Sequence, residues 1–210
     1  MPGAQPSSRA ERLLETFLRG YARGEAAAVA PWIVGRRVLD LGAGEGYVAA
    51  ALASESHRAI PATAVWVCGA DVGPFRRVAI PYVSYDGANL PFADEIFDTT
   101  LLLLMLHHAN EPERVLDEAI RVTRSRLVVM ESVYRNRLDR FWLDSLDGRL
   151  NHLRHGGRMN APLAFRTPDG WHALFISRGL RCVATHSLGP WWERLVHHPV
   201  LWALDHRPRR

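Results

Sequence analysis

The run Val38-Leu39-Asp40-Leu41-Gly42-Ala43-Gly44-Glu45-Gly46-Tyr47-Val48 sets three glycines at alternate positions directly after a short apolar stretch that contains one acid. This pattern predicts a buried strand, a tight turn and a helix start. Glycine is needed in such a turn because a Cβ would block both the bend and the approach of a ligand to backbone N–H groups. A dinucleotide fingerprint, GxGxxG, wants its third glycine at position 47, where this chain has Tyr47, so NAD is disfavoured. A second acid, Asp71, closes the next apolar stretch, Ala64 to Ala70. A carboxylate at the tip of a second strand can accept both hydroxyls of a ribose. His107 and His108 end a further unbroken run, Thr99 to Leu106, and histidine is the side chain that exchanges protons near neutral pH.

These groups sit at the ends of apolar stretches, and ligands of open α/β sheets gather at the carboxyl ends of the strands. The length of 210 residues suits one such domain. With 48% hydrophobic and 23% charged residues, the composition is that of an ordinary globular protein. The strongest apolar run, Leu101 to Leu106, is too short to span a bilayer, and Met1 to Arg9 has no apolar core of a secretory signal. A cytoplasmic location is expected. Cys68 and Cys182 form no metal or redox spacing and are expected to be reduced.

The chain has no lysine, so all 26 basic residues are arginine, and Schiff-base chemistry and a P-loop lysine are excluded. A net charge of +4 and a pI near 9.6 admit a nucleic-acid partner, but the arginines are scattered rather than interleaved with aromatics, and none is expected. No Ser-His-Asp or Cys-His arrangement is evident. His152 and His155 lie about one helical turn apart but lack a third ligand, so no metal is expected.

Taken in order, Ser8 and Glu11 predict a helix cap, and Leu13, Leu14, Phe17, Leu18 and Tyr21 recur as a packing face. A second short helix is expected from Glu25 to Trp32. Only fourteen residues separate Asp71 from Asp86, with two prolines and little helical periodicity between Gly73 and Pro81. Thr99 to Leu106 shows no alternation, as a central strand buried on both faces should not. A helix from Glu113 to Thr123 and a strand from Arg126 to Glu131 follow. Residues 133–165 read as an insertion, helical from Leu138 to Leu153. Thr167-Pro168-Asp169 starts a helix that Gly179 stops, and strands Arg181 to Ser187 and Val200 to His206 complete the chain, with Trp191 and Trp192 between them.

Asp40-x-Gly42-x-Gly44-x-Gly46, Asp71, the stretch Asp86-Gly87-Ala88-Asn89-Leu90-Pro91-Phe92, and Phe97-Asp98 with its strand and His107-His108 occur in an order that resembles class I S-adenosylmethionine-dependent methyltransferases of the "type 11" branch. The resemblance covers roughly 95 residues, about the core from 36 to 131, and departs from the family pattern at the short link before Asp86 and at Arg124-Ser125, where Pro-Gly-Gly is usual. It implies a Rossmann-like α/β sandwich, a seven-stranded, mostly parallel sheet with the last strand antiparallel. Residues 1–35 would add N-terminal helices, 133–165 a helical insertion over the acceptor, and 166–210 a closing helix and strand pair. It implies S-adenosylmethionine as cofactor, bound by Asp40, Gly42, Ala43, Gly44 and Gly46, by Asp71 and Val72, by Asp86, Gly87 and Ala88, and by Leu102 and Leu103. His107 and His108 become candidate bases, and Asn151, His155 and Glu131 candidate acceptor contacts.

The expected function is methyl transfer to a small, partly apolar molecule, at oxygen before nitrogen or carbon. The absence of an Asn-Pro-Pro-Tyr motif argues against nucleobase amines. A protein or RNA methyltransferase and a non-catalytic nucleotide-binding module remain the alternatives, with an NAD-linked oxidoreductase behind them. The oligomeric state is not written in the sequence.

Overall fold

The computed structural model describes residues 9–59, 65–145, 163–188 and 198–206. The first helix, α1 (Arg9–Val29), ends in a 3-10 turn at Ala30–Trp32 and leads into β1 (Arg37–Leu41). Then come α2 (Tyr47–Ala59), β2 (Trp66–Asp71), β3 (Tyr82–Ser84), β4 (Phe97–Leu103), a 3-10 turn at Leu106–His108, α3 (Pro112–Val122) and β5 (Thr123–Ser132). Residues 137–145 are helical (α4), followed by α5 (Pro168–Ser177), β6 (Arg181–Ser187) and β7 (Pro199–Asp205). The seven strands form one sheet in the order β3-β2-β1-β4-β5-β7-β6. The pairings from β3 through β5 are parallel, and β7 runs antiparallel to both β5 and β6.

Side chains alternate across this sheet, as the pleat requires. Leu39, Leu102, Leu127 and Val129 face a core shared with α3 and α5 through Leu116, Ala119, Trp171 and Phe175. Val38, Leu101, Val128 and Met130 face the opposite core with α1 and α2 through Ala26, Val29, Ala49 and Leu52. The central strands are covered on both sides, which explains their unbroken apolar sequence. Thr167 caps α5 by accepting from the Gly170 N–H at 3.0 Å, and Gly179 takes the left-handed conformation (φ +75°) just past its end. No helix among the described residues is long and apolar enough to cross a membrane.

Several local expectations are corrected. The two N-terminal helices are one, because Gly20 and Gly24 are accommodated within α1 with open space at their Cβ positions. Its buried residues are Ala22, Ala26 and Val29, whereas Leu13, Leu14, Phe17 and Tyr21 are exposed. The cause is length: twenty-one helical residues span about 30 Å, more than the five residues of β1 or the seven of β4. The carboxyl-terminal end of α1 lies at the amino edge of the sheet, where Val34 bonds Thr99, so its first half overhangs the opposite edge. Strand β5 begins at Thr123, so Arg124 and Ser125 belong to the strand, and the Thr123 hydroxyl satisfies the end of α3 by donating to the Ala119 carbonyl at 2.5 Å. The expected Ser8 cap lies outside the described residues.

Candidate functional site

The parallel strands bring the end of β1, the end of β2 and the turn after β4 to one edge. Asp40 pairs in register with Gly69 of β2 and Leu101 of β4, so it sits near the centre of that edge. The turn beyond it is stitched to β2: the amides of Gly42 and Ala43 both donate to the Ala70 carbonyl, at 2.8 and 3.1 Å, and Gly46 N–H donates to Ala43 at 2.8 Å. Gly42, Gly44 and Gly46 all have positive φ, of 79°, 52° and 84°. Their surroundings differ. A Cβ on Gly42 would stand 2.7 Å from the Met105 side chain, and one on Gly46 would stand 2.9 Å from Val78 and Ile80. On Gly44 a Cβ would meet nothing within 4 Å. Two glycines thus permit packing, and the third leaves an open face.

Asp71 stands beside that face. One carboxylate oxygen accepts from Gly44 N–H at 2.8 Å and the other from Val72 N–H at 2.7 Å. Its direction is therefore fixed by the turn itself. Asp40 is buried, its carboxylate accepts from the Ala49 amide, and its Oδ2 has no hydrogen-bond partner. Burial, with the Asp71 charge adding to it, pushes the Asp40 carboxyl up to about 7. A buried polar atom without a partner at a site edge marks a place for a ligand donor.

Beyond Asp71 the chain reaches β3 without a helix, as its prolines foretell. Val78 and Ile80 of this link pack over Gly46. Val72 is exposed and lies 3.3 Å from where a Cβ on Gly87 (φ +82°) would stand, so the turn at Asp86, Gly87 and Ala88 and the tip of β2 form adjoining walls. Asp86 caps its own turn. It accepts from the amides of Ala88 and Asn89 at 2.8 and 2.6 Å and from the Asn89 side chain at 2.9 Å, and these bonds hold its carboxyl down at about 2. Ala43 and Val72 belong to the same rim. Leu102 is wholly buried in the core, and Leu103, half-buried, is the one of that pair nearer the edge.

After β4 the backbone turns at Leu104, whose φ of +53° is a left-handed bend in a residue with a Cβ. Glu131 of β5 supports this bend from within. One oxygen accepts from the amides of Met105 and Leu106, at 3.1 and 2.7 Å, and the other meets Nδ1 of His107. Both side chains of that pair are almost wholly buried, and the His107 ring stacks on Phe165 with centroids 4.5 Å apart. Glu131 is thus an internal strut and not a surface for an acceptor. His108 remains half-buried beside His107. Asn151 and His155, with His152 and Arg158, lie outside the described residues, as do Trp191 and Trp192.

Sequence reasoning missed three contributors. The Tyr82 hydroxyl donates toward the carbonyls of Gly44 (3.1 Å) and Gly73 (3.2 Å), bridging the two loops. Met105 packs on Gly42. Arg19 of α1 lies over the Tyr47 ring, 4.8 Å from its centre. Each is a contact between segments distant in sequence, and no local pattern announces it.

A profile of the methyltransferase domain matches residues 39–129, the segment that builds this edge. Over residues 39–129 the chain is thus similar to methyltransferase domains of the type 11 kind. A demethylmenaquinone methyltransferase of Paenarthrobacter aurescens is 37% identical over 105 residues, which are 47% of this chain and 39% of that protein. One from Thermobifida fusca is 31% identical over 132 residues, 57% of this chain and 53% of that protein. The chain thus spans about half the length, or less, of these curated relatives. Among solved structures, a chain of the complex between the Haloferax volcanii Trm112 methyltransferase activator and a methyltransferase superposes with a TM-score of 0.69 at 16% identity, over 96% of this chain and 95% of that one. The [4+2]-cyclase SpnF superposes with a TM-score of 0.63 at 18% identity, over 87% of this chain and 80% of that one.

The matched methyltransferase domain implies S-adenosylmethionine as cofactor, and the residues present fit it. The open face of Gly44 is a cradle that a Cβ would fill, the orphaned Asp40 oxygen suits a cationic donor, and the fixed Asp71 carboxylate suits a diol.

Proposed function

We propose that this methyltransferase domain transfers the methyl group of S-adenosylmethionine to a small, partly apolar acceptor. The observation that carries the reading is the pairing of the open Gly44 face with an Asp71 carboxylate whose two oxygens are oriented by the same loop. Bound S-adenosylmethionine supplies a methyl group on a sulfonium, a good leaving group. The work left to the chain is alignment, which for well-oriented reactants is worth about 7–11 kcal/mol. Asp71 would hold the ribose, Val72 and the Gly87 turn would flank the base, and Asp40 would face the ammonium.

A partly apolar acceptor is supported by exposed apolar groups on two helices. Leu13, Leu14 and Phe17 of the overhanging half of α1 are exposed, as are Leu138, Phe141 and Trp142 of α4, the helix that follows the carboxyl end of β5. Exposed apolar side chains on two elements favour a partly apolar ligand. For a hydroxyl acceptor the proton must leave as the oxygen–methyl bond forms, and half-buried His108 is the histidine assigned to take it. His107, clamped by Glu131, would position the turn. The demethylmenaquinone methyltransferases among the relatives put demethylmenaquinone beside hydroxylated aromatic compounds as acceptors to screen.

The test is calorimetric titration with S-adenosylmethionine, S-adenosylhomocysteine and NAD, on the native chain and on Asp71→Ala. The expected result is binding of the first two, weakened at least about 10-fold in the variant, since bonds to a charged group are worth about 1.5–3 kcal/mol. Binding of NAD alone, or binding indifferent to Asp71, would overturn the reading.

A further inference from the structure

The methionyl end of the cofactor carries an ammonium and a carboxylate on one carbon, and this site, on the reading above, has an evident partner for the ammonium only. Asp40 and Asp71 already make the corner acidic, and burial, with the Asp71 charge adding to it, raises the Asp40 carboxyl. A further carboxylate brought there needs a cation, or like charges meet at short range. In a chain without lysine, the side chain that carries a permanent positive charge is arginine.

Two arginines act electrostatically on Tyr47, the first residue of α2 and the immediate successor of Gly46: Arg19 and Arg77. Arg77 belongs to the link before β3, and its backbone N–H is bonded to the Glu45 carbonyl at 2.9 Å. Arg19 reaches the corner from α1. Its guanidinium lies 4.8 Å from the centre of the Tyr47 ring, and both Nε and Nη2 donate to a single oxygen of Glu15, at 2.9 and 2.7 Å. Nη1 has no hydrogen-bond partner among the described residues. The Arg19 side chain is 44% exposed, so its pair with Glu15 is a weak one between neighbours on one helix. A guanidinium confined over an aromatic face, with an unused donor, is prepared for a two-point grip on a carboxylate.

We propose that Arg19 receives the carboxylate of the cofactor's methionyl end, exchanging its bond to Glu15 for that contact and fastening the overhanging half of α1 to the glycine corner. The residue lies outside the matched segment 39–129, so it is a feature of this chain's own N-terminal helix.

The test compares two ligands that share the nucleoside and the sulfur: S-adenosylhomocysteine, which has the amino-acid end, and 5′-methylthioadenosine, which lacks it. By calorimetry, Arg19→Gln is expected to weaken S-adenosylhomocysteine about 10- to 100-fold and to leave methylthioadenosine within about 2-fold. Arg19→Lys should recover part of the loss. Glu15→Gln, which frees the guanidinium, should tighten S-adenosylhomocysteine and leave methylthioadenosine unchanged; it gives an independent answer should Arg19→Gln fold poorly. Equal weakening of both ligands by Arg19→Gln, no effect on either, or a selective loss in Arg77→Gln instead would overturn the assignment. Failure of the native chain to bind either ligand would sink the cofactor reading itself, a separate outcome.

Discussion

Asp40→Asn isolates the carboxylate on which the candidate site turns. The buried side chain titrates near pH 7 in the folded protein and near 3.8 in a solvated chain, first because of burial and second because of Asp71. Between those values the folded state holds a proton that the unfolded state has released. The stability contributed is therefore complete below about pH 4, falls as pH rises, and is lost above about 7. At about 1.4 kcal/mol per unit until the group ionises near pH 7, the native chain should lose about 3 kcal/mol from this group alone between pH 5 and pH 8.5. Asparagine carries no charge to desolvate and keeps an oxygen for the Ala49 amide, so the variant should not show that loss. For a chain of this size the difference corresponds to about 5–10 °C in Tm. Thermal unfolding followed by circular dichroism at pH 5 and pH 8.5, at constant ionic strength, measures it, and comparing the two pH differences cancels whatever the asparagine does at both values. Parallel pH profiles for the two proteins would refute the buried, elevated carboxyl. S-adenosylhomocysteine supplies a second readout. An ammonium against Oδ2 favours the ionised form, so ligand affinity in the native chain should rise through pH 7 and stay flat in Asp40→Asn.

The glycines should separate by task. Gly42→Ala forces a Cβ within 2.7 Å of Met105 at φ +79° and is expected to destabilise by about 2–4 kcal/mol, whereas Gly44→Ala, with no contact, should cost only about 1 kcal/mol of backbone strain and yet abolish S-adenosylhomocysteine binding. Melting curves with titrations check both, and equal losses of stability would contradict the division. Glu131→Ala removes the acceptor of two amides and the partner of His107, so about 3–5 kcal/mol should be lost in urea unfolding, while His108→Ala, half-buried, should cost less than about 1 kcal/mol.

What was legible in the sequence is what local rules govern. The glycine spacing and the Thr167-Pro168 cap each rest on sterics or hydrogen bonds within a few residues, and each is found where those rules place it, whereas the strand expected over Thr99 to Leu106 is Phe97–Leu103, cut short by the left-handed bend at Leu104. Leu13, Phe17 and Tyr21 show the limit. Their helical spacing is real, but whether a helix face is buried depends on where the helix ends relative to the sheet, which periodicity does not encode. Glu131 misled for a related reason. An acid at the end of a central strand looks like a site residue, and only the tertiary path of the turn after β4 reveals that both oxygens are spent on Met105, Leu106 and His107. Asp86 likewise binds its own turn, a competition that short polar side chains often win.

The two halves of the site are held by different means, and this bears on how the acceptor is chosen. The cofactor corner is fixed mainly by backbone atoms: Ala70 accepts from Gly42 and Ala43, Gly44 donates to Asp71, and Glu131 holds the turn that carries Met105 against Gly42. Side-chain changes elsewhere leave those bonds in place. The side chains of Leu13 and Phe17 in α1 and of Leu138 and Phe141 in α4 are exposed and make no part of the core, so they can be replaced at little cost to folding. On the function proposed above, substitution at Leu13, Phe17, Leu138 or Phe141 would change acceptor preference while the corner stays as it is. A fold arranged in this way accommodates different chemistry at the open side, and the superposition on a cyclase at 18% identity accordingly speaks for the scaffold and not for the reaction.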